Sequence, residues 1–157
     1  MNYQWSFGFL WHYQVLFVRG VEVTLAYTVG TITLGLLLGL LIGVARLSKS
    51  RLVNYPLIGL IEAFRCTPLL VQIVWFYYAL PVLLGIQIPA VVAGIMTLSC
   101  YTGVFYAEIF RGGIISIEQG QWDAARALGL RRWHVMRLVI LPQAIRRMIP
   151  PFVNQSI

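Results

Sequence analysis

Charge is what this sequence has least of. Only 11% of its 157 residues are charged, against about 25% in an ordinary soluble domain. No charged residue occurs from Val23 to Ala45, nor from Cys66 to Ala107. A soluble core helix is rarely apolar on all faces over such lengths, so a soluble fold is excluded. Cysteine is scarce as well. Cys66 and Cys100 both lie in apolar segments, which points to neither a disulfide framework nor a metal site. The chain has no G-x-x-x-x-G-K-S/T phosphate loop, so it is not expected to hold ATP itself. It also lacks H-E-x-x-H, G-x-S-x-G and any Cys/His cluster. His12 and His134 are isolated and read as solvent or interface histidines. The N-terminus has no basic residue before Arg19, and the first long apolar run is followed by its basic cluster. That order argues against a cleaved secretory leader.

What is there is hydrophobic: 59% of the chain, mostly in long runs. Val23–Ala45 would extend roughly 35 Å as a helix, enough to cross a hydrocarbon core of about 30 Å. The second uncharged run is about twice one span, and "LPVLLGIQIP" near its middle supplies the turn. The reading is therefore a single membrane domain over 1–157. It has an outer interfacial segment at about 1–20, spans at about 21–45, 66–84 and 89–110, a cytoplasmic loop at about 111–137, and the start of a fourth span at about 138–157. The net charge of +7 is distributed to match. Arg46, Lys49 and Arg51 follow the first span, the turn around Gly85 is uncharged, and Arg111, Arg126, Arg131, Arg132 and Arg137 follow the third. Short Lys/Arg-rich loops stay in the cytoplasm, which places the N-terminus outside. Because the arginines sit at membrane edges, nucleic-acid binding is not expected. Trp5, Phe7, Phe9, Trp11 and Tyr13 read as an interfacial anchor on the outer face.

Within the spans, Gly35, Gly39 and Gly43 recur every fourth residue and share one helix face, which lets another backbone approach closely. Glu62 with Arg65, and Glu108 with Arg111, are spaced as ion pairs on one helix face. Pro68 should bend the second segment. Intramembrane polar residues are functional candidates by default, and Gln72, Tyr101 and Thr102 are assigned to a substrate path on that ground. For any single one of them, interhelical hydrogen bonding is the competing role.

The third cytoplasmic loop is organised. Ser116 and Gln119 are spaced as a capping box, although Gly120 interrupts the turn just after it. Asp123 is expected to cap a short helix over Ala124–Leu128, and Gly129 to end it. Ala124, Ala125 and Leu128 would share a face. So short a helix needs support, either a groove on another protein or its own chain, and the residues leave both open. "RRWHVMRLVIL" should then resume a helix up to Pro142.

"DAARALGLRRWHVMRLVILP" resembles the EAA loop of ABC importer permeases. Asp123 stands in place of the usual Glu and Val139 in place of Ile, while Ala124, Ala125, Gly129, Leu141 and Pro142 match. "GVEVTLAYT", "EAFRCTPLLVQ", "YAEIFRGGI" and "LPQAIRRMIPP" resemble the polar amino-acid branch, with Cys66 where a small residue is usual. The resemblance implies an all-α membrane protein of the type I ABC importer permease fold, a helical bundle with a five-span core. It implies alternating-access transport of polar amino acids across a bacterial inner membrane. Asp123, Ala124, Ala125, Leu128 and Gly129 would form the coupling element for a cytoplasmic ABC ATPase. That partner would use ATP and Mg, and this chain would bind no cofactor and catalyse nothing. The other implied partners are a second permease subunit, identical or homologous, a periplasmic or lipid-anchored amino-acid-binding protein, and membrane lipid. Alternatives are a permease of this architecture for another solute, such as an opine, and a secondary transporter. "MIPPFVNQSI" after Arg147 covers only about 15 Å as a helix. The sequence is therefore expected to be a fragment truncated in the fourth span, unless residues from about 140 onward lie along the inner surface.

Overall fold

A computed structural model describes residues 8–156 of the chain. Every regular element among them is helical: α1 (Gly8–His12), α2 (Gln14–Ala45), α3 (Arg51–Cys66), α4 (Leu69–Val74), α5 (Leu80–Leu84), α6 (Ala90–Ile115), α7 (Gln119–Ala127), α8 (Arg132–His134) and α9 (Leu141–Ser156). Two π segments complete the set, Trp75–Ala79 between α4 and α5 and Val135–Ile140 between α8 and α9. Of the expected outer anchor, Trp5, Phe7 and the side chain of Phe9 lie outside the described residues. Trp11 and Tyr13 are exposed.

The molecule is organised around α2 against α6. Gly35, Gly39 and Gly43 are all buried in α2. A Cβ on Gly39 would stand 2.5 Å from Tyr106 Cβ and 2.9 Å from the Gly103 carbonyl oxygen. On Gly43 it would stand 2.7 Å from the Ala107 carbonyl oxygen. The small-residue face expected from the sequence is thus where two backbones meet, with Gly103 and Ala107 answering it from α6.

α2 and α6 are each long and apolar enough to cross a membrane. α2 starts before residue 21, and α6 runs beyond residue 110, so the first residues of the expected loop are helical. The second segment departs further from expectation. It is not one helix over 66–84: α3 and the run Leu69–Leu84 together pass the test for one span but are bent by 106°. Thr67 before Pro68 is extended (φ −99°, ψ 130°), as the ring of a following proline demands. α3 was foreseen as helical only around Glu62 and Arg65, and the structure carries it back to Arg51. It docks through Ile61, buried against Val104 and Ala107 of α6.

Each π segment ends two residues before a proline, Pro81 or Pro142. Proline lacks the N–H that would bond the carbonyl four residues back, and its ring crowds that carbonyl. A π turn relaxes the crowding by carrying an extra residue. The helix expected to stop at Pro142 therefore continues through it, and through Pro150 and Pro151, to Ser156.

Candidate functional site

Two regions carry the polar and charged groups: α7 with the start of α9, and the C-terminal ends of α2, α3 and α6. The start of α7 differs from the sequence reading. Ser116 closes α6, its hydroxyl donating to the Gly113 carbonyl (2.8 Å), so it forms no capping box with Gln119. α7 begins at Gln119 after Glu118, which makes no side-chain capping bond. Asp123 is therefore in mid-helix and is not a cap. It accepts a bond from Gln119 Nε2 (3.2 Å) and lies 3.7 Å from Arg126. Gly120, rather than interrupting the helix, sits in its first turn. The C-terminal end matches expectation. Gly129 has φ +73°, its N–H bonds the Arg126 carbonyl, and the Leu130 N–H bonds the Ala125 carbonyl. These two bonds define a Schellman ending, which needs a left-handed residue at that position.

The faces of α7 are also distributed differently. Ala124, Ala125 and Leu128 do not share one environment. Ala125 is 2% exposed, sealed against Ile117, Val135, Ile140, Ala144 and Met148 of its own chain. Ala124 is exposed, and Leu128 is 80% exposed. The outward surface therefore carries Ala124 and Leu128, with exposed Trp133 just beyond on α8. Trp133 was not singled out from the sequence; its signal was an aromatic side chain among arginines.

At the C-terminal ends of α2 and α6, Glu108 holds two arginines. Arg111 donates through Nη2 (2.9 Å) and Nε (3.2 Å), and Arg46 at the end of α2 bonds the other carboxylate oxygen. The Glu108–Arg111 pair was legible from spacing, whereas Arg46 was not. The Arg46 side chain is 13% exposed, the most enclosed of the three. Its bond ties α2 to α6, the same pair that the glycines bring together. Glu62 and Arg65 also meet, at 3.5 Å, but both are largely exposed and this pair holds little. The Arg65 guanidinium lies 5.7 Å from the Phe105 ring centroid. Beside it a groove of about 480 Å³ runs between α6 and α9, lined by Arg65, Phe105, Glu108, Ser116, Arg147 and Gln155 among others.

The three residues assigned to a substrate path are not brought into one cavity. Gln72 is buried, and its Nε2 donates to the carbonyls of Phe64 (2.7 Å) and Thr67 (3.0 Å). Phe64 is the residue whose carbonyl Pro68 cannot serve, so Gln72 replaces the missing donor across the bend. It lines an apolar cavity of about 300 Å³ with Phe64, Trp75 and Phe76. Thr102 donates to the Leu98 carbonyl (2.8 Å) and packs on Gly35. It lines a different cleft, of about 200 Å³, with Tyr27, Thr28, Thr31, Tyr106 and Ser156. The Tyr101 ring packs 5.0 Å from that of Phe105. Cys66 and Cys100 are free thiols.

A small-residue helix pair, a broken second segment and a short helix packed against α9 together define an all-α membrane permease of the type I ABC importer architecture. The chain belongs to the binding-protein-dependent transport system inner membrane component family, whose model matches residues 35–157. It is 39% identical to the glutamine transport system permease protein GlnP of Escherichia coli K12, over all of this chain and 71% of that protein. It is 34% identical to a putative GlnP of Rickettsia prowazekii, over 92% of this chain and 66% of that one. Among solved structures, it superposes on an amino acid ABC transporter crystallised with histidines at a TM-score of 0.88. That match has 36% identity and covers 98% of this chain and 72% of the other. The inward-facing MetNI methionine ABC transporter superposes at 0.73 with 25% identity, covering 97% and 71%. The chain is thus a multi-pass inner-membrane permease subunit, not a catalytic one.

Proposed function

We propose that this chain is the membrane-spanning subunit of an ATP-driven importer of polar amino acids, working by alternating access. Its partners are a cytoplasmic ATPase that uses ATP and Mg, a second permease subunit, and a binding protein outside the membrane. The observation that carries the coupling role is the two-faced mounting of α7. One face is locked to the chain through Ala125, while Ala124 and Leu128 remain exposed. A rigidly held helix offering an apolar outward face is suited to a groove on another protein. The amino-acid cargo is supported by the names of the relatives, glutamine permeases and an amino acid transporter. The arginines after α2 and α6 support an inner location for residues 46–55 and 111–137 and an outer one for residues 1–18 and 83–88.

The experiment is uptake in proteoliposomes containing the permease, its ATPase and its binding protein, with labelled glutamine and a panel of amino acids. ATP-dependent uptake of polar amino acids is expected. Uptake driven by an ion gradient without ATP would refute the reading. An impermeant thiol reagent tests the orientation: a cysteine at position 120 should be protected in intact cells and labelled in inverted vesicles.

A further inference from the structure

We propose that Gln143 is a positioning residue that carries movement of α7 into α9 through the π segment Val135–Ile140. The inference rests on the reading that α7 docks on an ATPase. Three observations place the residue. Gln143 Nε2 donates both to the Val139 carbonyl inside the π segment (2.9 Å) and to Gln121 Oε1 on α7 (3.2 Å). One side-chain amide therefore joins the docking helix to the irregular turn. The segment is a true π turn, because the Leu141 N–H bonds the Met136 carbonyl five residues back. Finally, α7, the π segment and α9 share one buried cluster, with Ala125, then Val135 and Ile140, then Ala144 and Met148.

A π turn has a discrete alternative. It holds one residue more than an α turn, so closing it re-registers everything beyond. At 3.6 residues and 5.4 Å per turn, one residue amounts to a rotation of about 100° and a rise of about 1.5 Å. The π turn is not forced by proline alone, since Pro150 and Pro151 sit in α9 with no such turn. What distinguishes this π segment is its place in one buried cluster with α7 and α9, with the Gln143 side chain bonded both to the segment and to α7. A push on α7 therefore reaches the π turn that leads into α9, and that turn has a second arrangement to adopt. Transmission of this kind requires a two-state element that the docking site biases.

The test uses the assembled importer in proteoliposomes and reads amino acid transported per ATP hydrolysed. Gln143→Glu leaves no donor for the Val139 carbonyl, and Gln143→Leu leaves neither bond. Gln121→Glu keeps an acceptor for Gln143. Losing a hydrogen bond of ordinary strength corresponds to about a fivefold change in an equilibrium. Gln143→Glu and Gln143→Leu should therefore lower the transport-to-ATP ratio about fivefold or more, while the ATPase co-purifies as with the parent. Gln121→Glu should stay within about twofold of the parent. A ratio unchanged in Gln143→Leu overturns the inference. A second measurement needs no variant at 143: the distance between spin labels at the exposed positions 119 and 149, with and without ATP. A change in that distance supports re-registration, and an unchanged distance, meaning that α7 and α9 move as one body, overturns it. If the ATPase does not co-purify with the parent permease, the docking reading itself fails, and the inference falls with it.

Discussion

Gly39→Ala adds one methyl group where the α2 and α6 backbones meet. The new carbon would stand 2.5 Å from Tyr106 Cβ, 2.9 Å from the Gly103 carbonyl oxygen and 3.1 Å from the Ala107 nitrogen. Carbon atoms pack at about 3.5–4.0 Å, so α2 must retreat from α6 by roughly 1 Å there. Two of the three obstacles are backbone atoms, and no rotamer change removes them. The retreat also loosens the flanking contacts of Gly35 and Gly43, which lie on the same face. Overpacking of this kind costs about 1–3 kcal/mol. Alanine also favours a helix over glycine by up to about 1 kcal/mol, which would mask part of the loss. Gly20→Ala is the control. It lies in the same helix, and a Cβ there meets nothing within 4 Å. The propensity gain then cancels in the comparison. Gly39→Ala should be less stable than Gly20→Ala by about 1–3 kcal/mol. The assay is reversible unfolding in bicelles by added sodium dodecyl sulfate, followed by tryptophan fluorescence. If the two variants agree within about 0.5 kcal/mol, the glycine face is not a close-packed interface and the packing argument fails.

Glu108→Gln should destabilise the helix pair by about 2–3 kcal/mol, because it leaves Arg46 and Arg111 partly enclosed without their carboxylate. Glu62→Gln should change stability by less than about 0.5 kcal/mol in the same unfolding assay, since that pair is exposed. Gln72→Leu should cost about 1–3 kcal/mol by orphaning the Phe64 carbonyl next to Pro68. Uptake kinetics of the folded fraction should retain the parent KM, and a raised KM would return Gln72 to the substrate path. Gly129→Val places a β-branched residue at φ +73°, which should cost about 1–2 kcal/mol and reduce ATPase co-purification. Ala125→Trp should lower the yield of folded permease itself, whereas Leu128→Arg should leave yield unchanged and weaken ATPase retention about tenfold. Equal yields for Ala125→Trp and the parent would contradict the burial of Ala125.

What could be read from the sequence was local. Gly35, Gly39 and Gly43 announced their contact because a fourfold spacing repeats on one helix face whatever the partner is. Gly129 announced the end of α7 because few other residues tolerate its backbone. Glu108 with Arg111 followed from helical spacing. The failures depended on distance along the chain. Ala125 faces inward because Ala144 and Met148 stand behind it, and no spacing within α7 reveals that. Arg46 meets Glu108 only because glycines bring α2 against α6. Asp123 had the right chemistry for a cap, but Ile117 is anchored in the same cluster as Ala125, and the helix starts soon after that anchor. The first part of α3 escaped notice because its apolar residues looked like the lead-in to the next span, and Pro56 lies within it.

The intramembrane polar residues resist sequence reading for a further reason. A polar side chain in an apolar medium satisfies itself on the nearest free carbonyl. Thr67, Thr97, Thr102 and Ser156 each donate to the carbonyl four residues back, and Gln72 spends its amide group on the bend at Pro68. Sequence alone cannot separate a hydroxyl so engaged from one held ready for cargo. Among the described residues, Thr31 Oγ1, Ser99 Oγ and Gln72 Oε1 are buried in the spans without a hydrogen-bond partner. Prolines add a second layer, because each removes a donor that something must replace. At Pro68 the replacement is a side chain, and the helix breaks. At Pro142 a π turn relaxes the crowding instead, and the helix continues. The same chemical deficit thus gives a 106° elbow in one segment and a π turn in another. The second packs against α7, and the proposed transmission rests on that contact.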